Sequence, residues 1–218
     1  MEVSPALARR RRPAQSRARA TTDAIEQAFV QLLVEKGYQK MSIRQLIALA
    51  GVGIGSFYEY YASKDALAAI CIHARVQKIA EAMRASVTAA RGEPLPARAD
   101  AMLSAQAAAP LAEPEQWAAL FLVERQVSGI EAFRKHYAQC VQLWREMLAA
   151  GPGWPDDATI DEAAFAAHAM VYSLVSQTLM TRTDRPDADA LRRLLRSAVH
   201  GYLSVLAPQA YRLHRFDV

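Results

Sequence analysis

The stretch Ser42-Ile43-Arg44-Gln45-Leu46-Ile47-Ala48-Leu49-Ala50-Gly51-Val52-Gly53-Ile54-Gly55-Ser56-Phe57-Tyr58-Glu59-Tyr60-Tyr61 decides how the chain is read. Ser42 and Gln45 have the spacing of a capping box: the serine hydroxyl accepts from the amide of Gln45, and the glutamine side chain reaches back to the amide of Ser42. The helix so opened, from Ile43 to about Ala50, is short and stops at Gly51. Only Gly51-Val52-Gly53 separates it from a second short helix, expected from about Ile54 to Tyr60. Two short helices joined by a tight turn containing glycine form the helix-turn-helix layout.

Working outward, Ile25, Ala28, Phe29, Leu32 and Leu33 recur at helical spacing and Gly37 stops that segment, so a helix precedes the pair. Downstream, Ser63 is a good N-cap and Asp65 sits favourably in the first turn of a long helix expected from Lys64 to about Ala90, with Leu67, Ile70, Ala74, Ile79 and Met83 facing inward. Gly92, Pro94 and Pro96 mark a break. Further helices are read at about 98–109, 114–128, 131–150, 160–182 and 187–206. In the third of these Phe133, Tyr137, Cys140, Trp144 and Met147 form one stripe, and Thr159-Ile160-Asp161-Glu162 has capping-box spacing before the fourth. No segment alternates long enough to be a strand, so the expectation is an all-α protein. It divides into a basic arm at 1–16, a three-helix helix-turn-helix domain at 17–65, a connecting helix at 66–90, and a larger helical domain at 91–218.

Composition excludes several classes. At 52% hydrophobic residues and a net charge of +4 in 218 residues, the chain is neither disordered nor short of core material, and 9 Gly and 10 Pro rule out collagen-like repeats. Two cysteines cannot staple a domain of this size, and no export signal is read at the start; a reducing, cytoplasmic setting with Cys71 and Cys140 as free thiols is the expectation. The charge is unevenly placed. Residues 1–85 hold 13 Lys/Arg against 7 Asp/Glu, a net +6, whereas residues 86–218 hold 13 against 15, a net −2. A polyanion-binding module joined to a module with a different task fits that asymmetry.

The run from Ala163 to Thr181 has no formally charged residue. It approaches bilayer-spanning length, but His168, Ser173, Ser176, Gln177 and Thr178 argue for a helix buried on two sides in protein. Phe165, His168, Tyr172, Val175 and Leu179 step by three and four, as do Leu191, Leu194, Ala198, Tyr202 and Val205 in the last helix. Two such seams can pair with the same two of a second copy, which predicts a homodimer through a four-helix bundle.

The segment from Gly37-Tyr38 through Tyr61, with Ser63-Lys64, closely resembles the TetR family of bacterial transcriptional regulators. The resemblance covers about residues 19–70 and rests on spaced residues: Gly-aromatic after the first helix, Ser before the second, Ala-Gly-Val at the turn, Gly-Ser-Phe-Tyr-x-Tyr-Tyr in the recognition helix and Ser-Lys opening the fourth. It implies a homodimer on a pseudo-palindromic double-stranded DNA operator, most simply a repressor, released by a small-molecule effector. It also implies DNA contacts at Arg44, Ser56, Tyr58, Tyr60 and Lys64. Physical reasoning adds Ser42 and Ser63 as caps of helix N-termini aimed at phosphates, Gly55 and Ser56 as small residues that admit the DNA backbone, and Arg44 as a guanidinium able to bind guanine. Arg17, Arg19 and the run Arg9 to Arg12 are candidates for a phosphate or minor-groove arm. Glu59 could accept from cytosine or repel phosphate, and Tyr61 is assigned to the core. Two positions depart from the family pattern: Gly53 replaces a frequent Ser cap, and Ile47 replaces a small residue between the two helices.

Other chemistries have weaker support. Gly51-x-Gly53-x-Gly55 follows a helix and not a strand, which argues against a nucleotide loop. There is no nucleophile elbow and no metal-spaced ligand set; His136 and Cys140 are two ligands at most. No cofactor and no enzyme activity are therefore expected. A DNA-packaging protein would gain little from the acidic C-terminal part. For the effector, Trp117, Phe121, Phe133, Tyr137, Trp144, Met170 and Tyr172 supply the large apolar side chains that would line a pocket for a neutral or weakly polar small molecule.

Overall fold

The computed structural model describes residues 16–181 and 187–212. They form ten helices and, among the described residues, no strand: α1 (Ser16–Lys36), α2 (Ile43–Ala50), α3 (Ile54–Tyr60), α4 (Lys64–Ala89), α5 (Leu95–Ala112), α6 (Pro114–Val127), α7 (Ile130–Ala149), α8 (Asp157–Thr181), α9 (Ala188–Leu206) and α10 (Pro208–Arg212). No helix among the described residues is long and apolar enough to cross a membrane. The expected basic arm lies outside the described residues but for its last one.

Two compact units divide the chain, one running to Val76 and including Glu115–Phe133, the other containing Gln77–Pro114 and everything from Arg134. The N-terminal unit is built on Ile25, Phe29, Leu32 and Leu33 of α1, against which α2 and α3 pack through Leu46 and Phe57. Ile25, Phe29, Leu46, Phe57, Tyr61 and Leu67 are wholly buried. Leu120 and Val123 of α6 join the same core, so α6 groups with the N-terminal helices instead of with the later ones that flank it in sequence. On α4 the buried stripe is Leu67, Ala68, Cys71 and Ile72, with Ile70 and Ala74 only half-buried.

The C-terminal unit places α8 against α5 and α9, and α10 against α5 and α9. Its core is rich in alanine and methionine, with Ala99, Met102, Ala163, Ala164, Ala167 and Met147 buried, which lets the helix backbones approach closely. Three sequence expectations change here. Helix α8 begins at Asp157, before the capping box read at Thr159, because Asp156 caps it: its carboxylate accepts from the amide and the hydroxyl of Thr159, both at 2.7 Å. An acidic side chain one turn earlier outcompetes a threonine hydroxyl for the free amides, and the dipole favours its charge. Helix α5 starts at Leu95 with Pro96 in its first turn and runs through Pro110 to Ala112, longer than the expected 98–109. The two seams are also divided. Phe165, Leu194 and Val205 are exposed, but His168, Val175, Leu179 and Leu191 are buried within the single chain. Since α8 and α9 pack on each other and on α5, the inner edge of each stripe is filled by the chain itself.

Three buried polar side chains of this unit are paired in a chain that dictates their protonation. Trp144, fully buried, donates from Nε1 to Oε1 of Gln106 at 2.7 Å, and Gln106 Nε2 lies 3.1 Å from Nδ1 of His168. An indole N–H can only donate, so the amide oxygen of Gln106 must face Trp144 and its NH2 must face His168. Nδ1 of His168 is therefore an acceptor, and the ring is neutral with its proton on Nε2. Tyr137 stands edge-on to this ring at 4.4 Å between centroids. At the end of α7, Arg98 is buried and donates from Nη1 to the carbonyl of Met147 at 2.6 Å, closing a C-terminal carbonyl. A Cβ at Gly151 would lie 2.3 Å from its Nη2, so a side chain there would have to displace the guanidinium.

Burial pushes the His168 pKa down to about 4, from an ordinary value near 6.5. A group whose folded pKa is depressed takes up its proton more readily when unfolded, so the stability it supports is full above about pH 6.5 and declines as the pH falls toward 4. Urea denaturation of the wild type should lose roughly 2 kcal/mol between pH 7 and pH 5 from this group, and His168→Gln should remove that part of the slope. An identical pH slope in the variant would show that His168 is not the group responsible.

Candidate nucleic-acid interface

The site is the outer surface of α2, α3 and the turn between them, and local chemistry shapes each part. Ser42 caps α2 as expected: its hydroxyl accepts from Gln45 N at 3.3 Å, and the Gln45 side chain accepts from Ser42 N at 3.1 Å. Gly51 ends α2 in the left-handed region at φ 66°, a conformation that a Cβ would strain. The amide of Val52 then donates to the Ile47 carbonyl at 3.1 Å, closing the turn. Ile47 itself is partly buried against the N-terminal core, so the bulky residue between the helices is absorbed by packing. Gly53 caps α3 with no side-chain hydrogen bond, consistent with a serine missing there.

Arg44, Gln45, Ala48 and Leu49 of α2 are exposed, as are Gly55, Tyr58 and Glu59 of α3; Ser56 is half-buried. A Cβ built on Gly53 or Gly55 meets nothing within 4 Å, so this end of α3 is open for close approach of another backbone. Tyr58 stands edge-on to the buried Phe57 at 5.2 Å, which steadies an otherwise exposed ring. The exposed Arg17 and Arg19 lie in the first turn of α1.

Two expected contact residues are placed differently. Tyr60 is 5% exposed and belongs to the core cluster, so α3 does not present it beside Tyr58 on its outer surface. The helical step explains this: Tyr60 lies three residues after Phe57, on the face that packs inward. Lys64 is half-buried, and its Nζ donates to the carbonyls of Tyr38 at 2.9 Å and Met41 at 3.0 Å while sitting 4.2 Å above the Tyr38 ring. Two of its three N–H groups thus hold the loop after α1 to the start of α4, where Tyr38 also donates to Asp65 and Ser63 Oγ caps the amide of Ala66 at 3.1 Å. Burial and the Asp65 carboxylate push the Tyr38 hydroxyl well above the usual tyrosine range, so it stays a donor. Tyr61 is wholly buried and donates to Glu26 at 2.7 Å, tying the end of α3 to α1.

Ile54, at half exposure on the first turn of α3, was not singled out in the sequence. An exposed apolar side chain beside Gly55 is suited to the thymine methyl in a major groove. The missed signal was an isoleucine with no inward partner in the helical pattern.

Of the residues expected to line an effector pocket, Trp117 and Phe121 belong to the N-terminal unit and Tyr137, Trp144, Met170 and Tyr172 to the C-terminal unit. Trp117 and Phe121 are buried together on α6 of the N-terminal unit, rings 5.5 Å apart. In the C-terminal unit Tyr137 lies 6.0 Å from Tyr172, Trp144 is a core residue bonded to Gln106, and Met170 is half-buried on α8. Both cysteines are buried free thiols, and no group of three or more potential metal ligands occurs among the described residues.

Lys64→Met keeps the apolar stem and removes both carbonyl contacts. It should lower unfolding stability by about 1–3 kcal/mol, and it should leave the salt dependence of DNA binding nearly unchanged. A fall of about one in the slope of log affinity against log salt would instead make Lys64 a phosphate contact.

Two family models match the chain. The one described as bacterial regulatory proteins, tetR family, matches residues 25–70, and the one described as tetracyclin repressor-like, C-terminal domain, matches residues 94–203, about half of the chain. No curated protein matches it. Among solved structures, it is similar to a TetR-like transcriptional regulator from Rhodococcus sp. RHA1, at TM-score 0.64 and 19% identity, covering 89% of this chain and 99% of the other. It is likewise similar to a TetR transcription regulator from Haloarcula marismortui, at TM-score 0.68 and 17% identity over 85% and 97%. A third is the fatty acid degradation regulator FadR from Bacillus halodurans, at TM-score 0.66 and 17% identity over 83% and 95%. At such identities these likenesses speak for the fold, and the two family models carry the assignment: the chain belongs to the TetR family and is a DNA-binding transcriptional regulator, not an enzyme.

Proposed function

We propose that the protein acts as a homodimer that places two copies of α3 in successive major grooves of a pseudo-palindromic operator, blocks transcription, and is released by a small-molecule effector. The observation that carries this reading is the outer surface of the α2–α3 pair. A guanidinium at Arg44, a hydroxyl at Tyr58, an apolar side chain at Ile54 and the open backbone at Gly55 stand on a sealed core. Groove readers need both specific donors and close backbone approach. Arg44 is the base contact, because a guanidinium can pair bidentately with guanine. Ser42 and Ser56 grip phosphates, with Arg17 and Arg19 adding charge from α1. Glu59 is exposed beside Tyr58 and discriminates against bases lacking a donor.

For the dimer, Phe165 of α8 and Leu194 and Val205 of α9 are exposed large hydrophobics, with Ala198 and Tyr202 half-buried among them. Apolar side chains left in water along one edge of two adjacent helices favour a second copy as their cover. The effector acts by binding better to the conformer whose two reading heads are wrongly spaced, which lowers DNA affinity by a coupling free energy.

The test is fluorescence anisotropy on labelled duplex from the intergenic DNA beside the protein's own gene, with a shuffled duplex as control. A preference of about 10³ or more at physiological salt is expected. Arg44→Ala should erase about tenfold to a hundredfold of that preference while keeping non-specific affinity. Equal and steeply salt-dependent binding of both duplexes by the wild type would reject operator recognition at this locus.

A further inference from the structure

Helix α9 carries a second face. At 100° per residue, Asp189, Arg192 and Arg196 fall on the side of the helix away from Leu194 and Val205, with Arg193 on the flank between the two faces. That side borders α5, where Leu103, Ala107 and Leu111, together with Leu195 of α9, floor an open groove of about 380 Å³. Three guanidinium groups edge it: those of Arg192, Arg193 and Arg196. The volume lies within the range of small-molecule sites, at the low end.

The charges at the rim do not cancel. Arg192 pairs with Asp189 at 2.7 Å and Arg196 with Asp100 at 2.8 Å, so each lining carboxylate already has a partner. Asp100 is further held by Nε2 of His200 at 2.8 Å, and Nδ1 of His200 lies 2.9 Å from the Tyr211 hydroxyl. Arg193 pairs with neither of the two acids that line the groove; its electrostatic neighbour is Asp187, the N-cap of α9, which lies outside the lining. The lining thus carries one net positive charge above an apolar floor, and the paired guanidiniums keep further N–H donors free for an incoming anion.

We propose that the α5–α9 groove binds a small amphiphile with one carboxylate head and an alkyl or aryl body. The head lies on Arg193, supported by Arg196, and the body covers Leu103, Ala107 and Leu195. A neutral molecule would leave the rim charge unmet, and a bare anion would leave the floor wet while competing with water for exposed guanidiniums. A single negative charge matches the single excess positive one. This site is distinct from the neutral or weakly polar pocket expected from the sequence, since none of those residues lines it. A ligand there would touch the Arg196–Asp100–His200–Tyr211 chain that joins α9, α5 and α10. That regulatory consequence rests on the regulator reading; the binding itself does not.

The test is isothermal titration calorimetry on the full chain without DNA, using octanoate, 1-octanol and acetate as probes. Octanoate should saturate at one per chain, with 1-octanol and acetate at least about tenfold weaker. Arg193→Gln, at an exposed position with no ion pair within 4 Å among the described residues, should weaken octanoate about tenfold or more. Ala108→Trp, which fills the groove from an exposed lining position, should abolish binding, with circular dichroism verifying that both variants are folded. Three results would each overturn the proposal: no saturation by octanoate up to about 5 mM, equal affinity for 1-octanol, or octanoate affinity unchanged in both variants. Since no DNA enters the assay, failure here leaves operator binding untouched, and failure of operator binding leaves this site untouched.

Discussion

A helix of seven residues cannot hold itself together in water, because nucleation is unfavourable and too few hydrogen bonds follow it. Helix α3 is of that length, has three polar or glycine positions, and opens on Gly53 with no side-chain cap. What keeps it helical is burial of Phe57, Tyr60 and Tyr61 into the core that α1 provides, with the Tyr61–Glu26 hydrogen bond as a tether. Everything the reading surface does depends on that packing. Its exposed side chains are positioned by residues that never reach the surface.

The same constraint explains why Tyr60 is buried and Lys64 half-buried. A short helix needs most of its apolar residues inside, so an aromatic three residues after Phe57 is drawn into the core. The start of α4 must be anchored if α3 is to keep its orientation, and the Lys64 ammonium does this through two backbone carbonyls and the Tyr38 ring. A cation so engaged holds the scaffold on which α3 stands. Arg44 and Tyr58, by contrast, remain exposed.

In the C-terminal unit the governing demand is polar satisfaction in a core of small residues. Gln106 serves both the Trp144 N–H and the His168 ring, which leaves the histidine only one tautomer and no charge. At the α5–α9 edge the opposite holds: charges are at the surface, incompletely balanced, over side chains that would rather be dry. One region is closed by its own hydrogen bonds, and the other is open to something from outside.

The sequence by itself determined the helix-turn-helix and its caps, because Ser42, Gln45, Gly51 and Ser63 act on neighbours within four residues, where spacing along the chain is spacing in space. It also determined the all-helical architecture, through apolar periodicity, while the burial of Tyr61 followed from the family resemblance. Tertiary structure alone decided which edge of each three-four stripe is covered by the same chain, since periodicity marks an apolar arc without naming its cover; thus His168, Leu179 and Leu191 are inside while Phe165 and Leu194 are not. It decided that Asp156 and not Thr159 opens α8, a competition between two plausible caps. The membership of α6 in the N-terminal core and the rim of arginines over α5 were likewise beyond a linear reading. Both join residues tens of positions apart, and which distant helices meet is settled by packing of the whole chain.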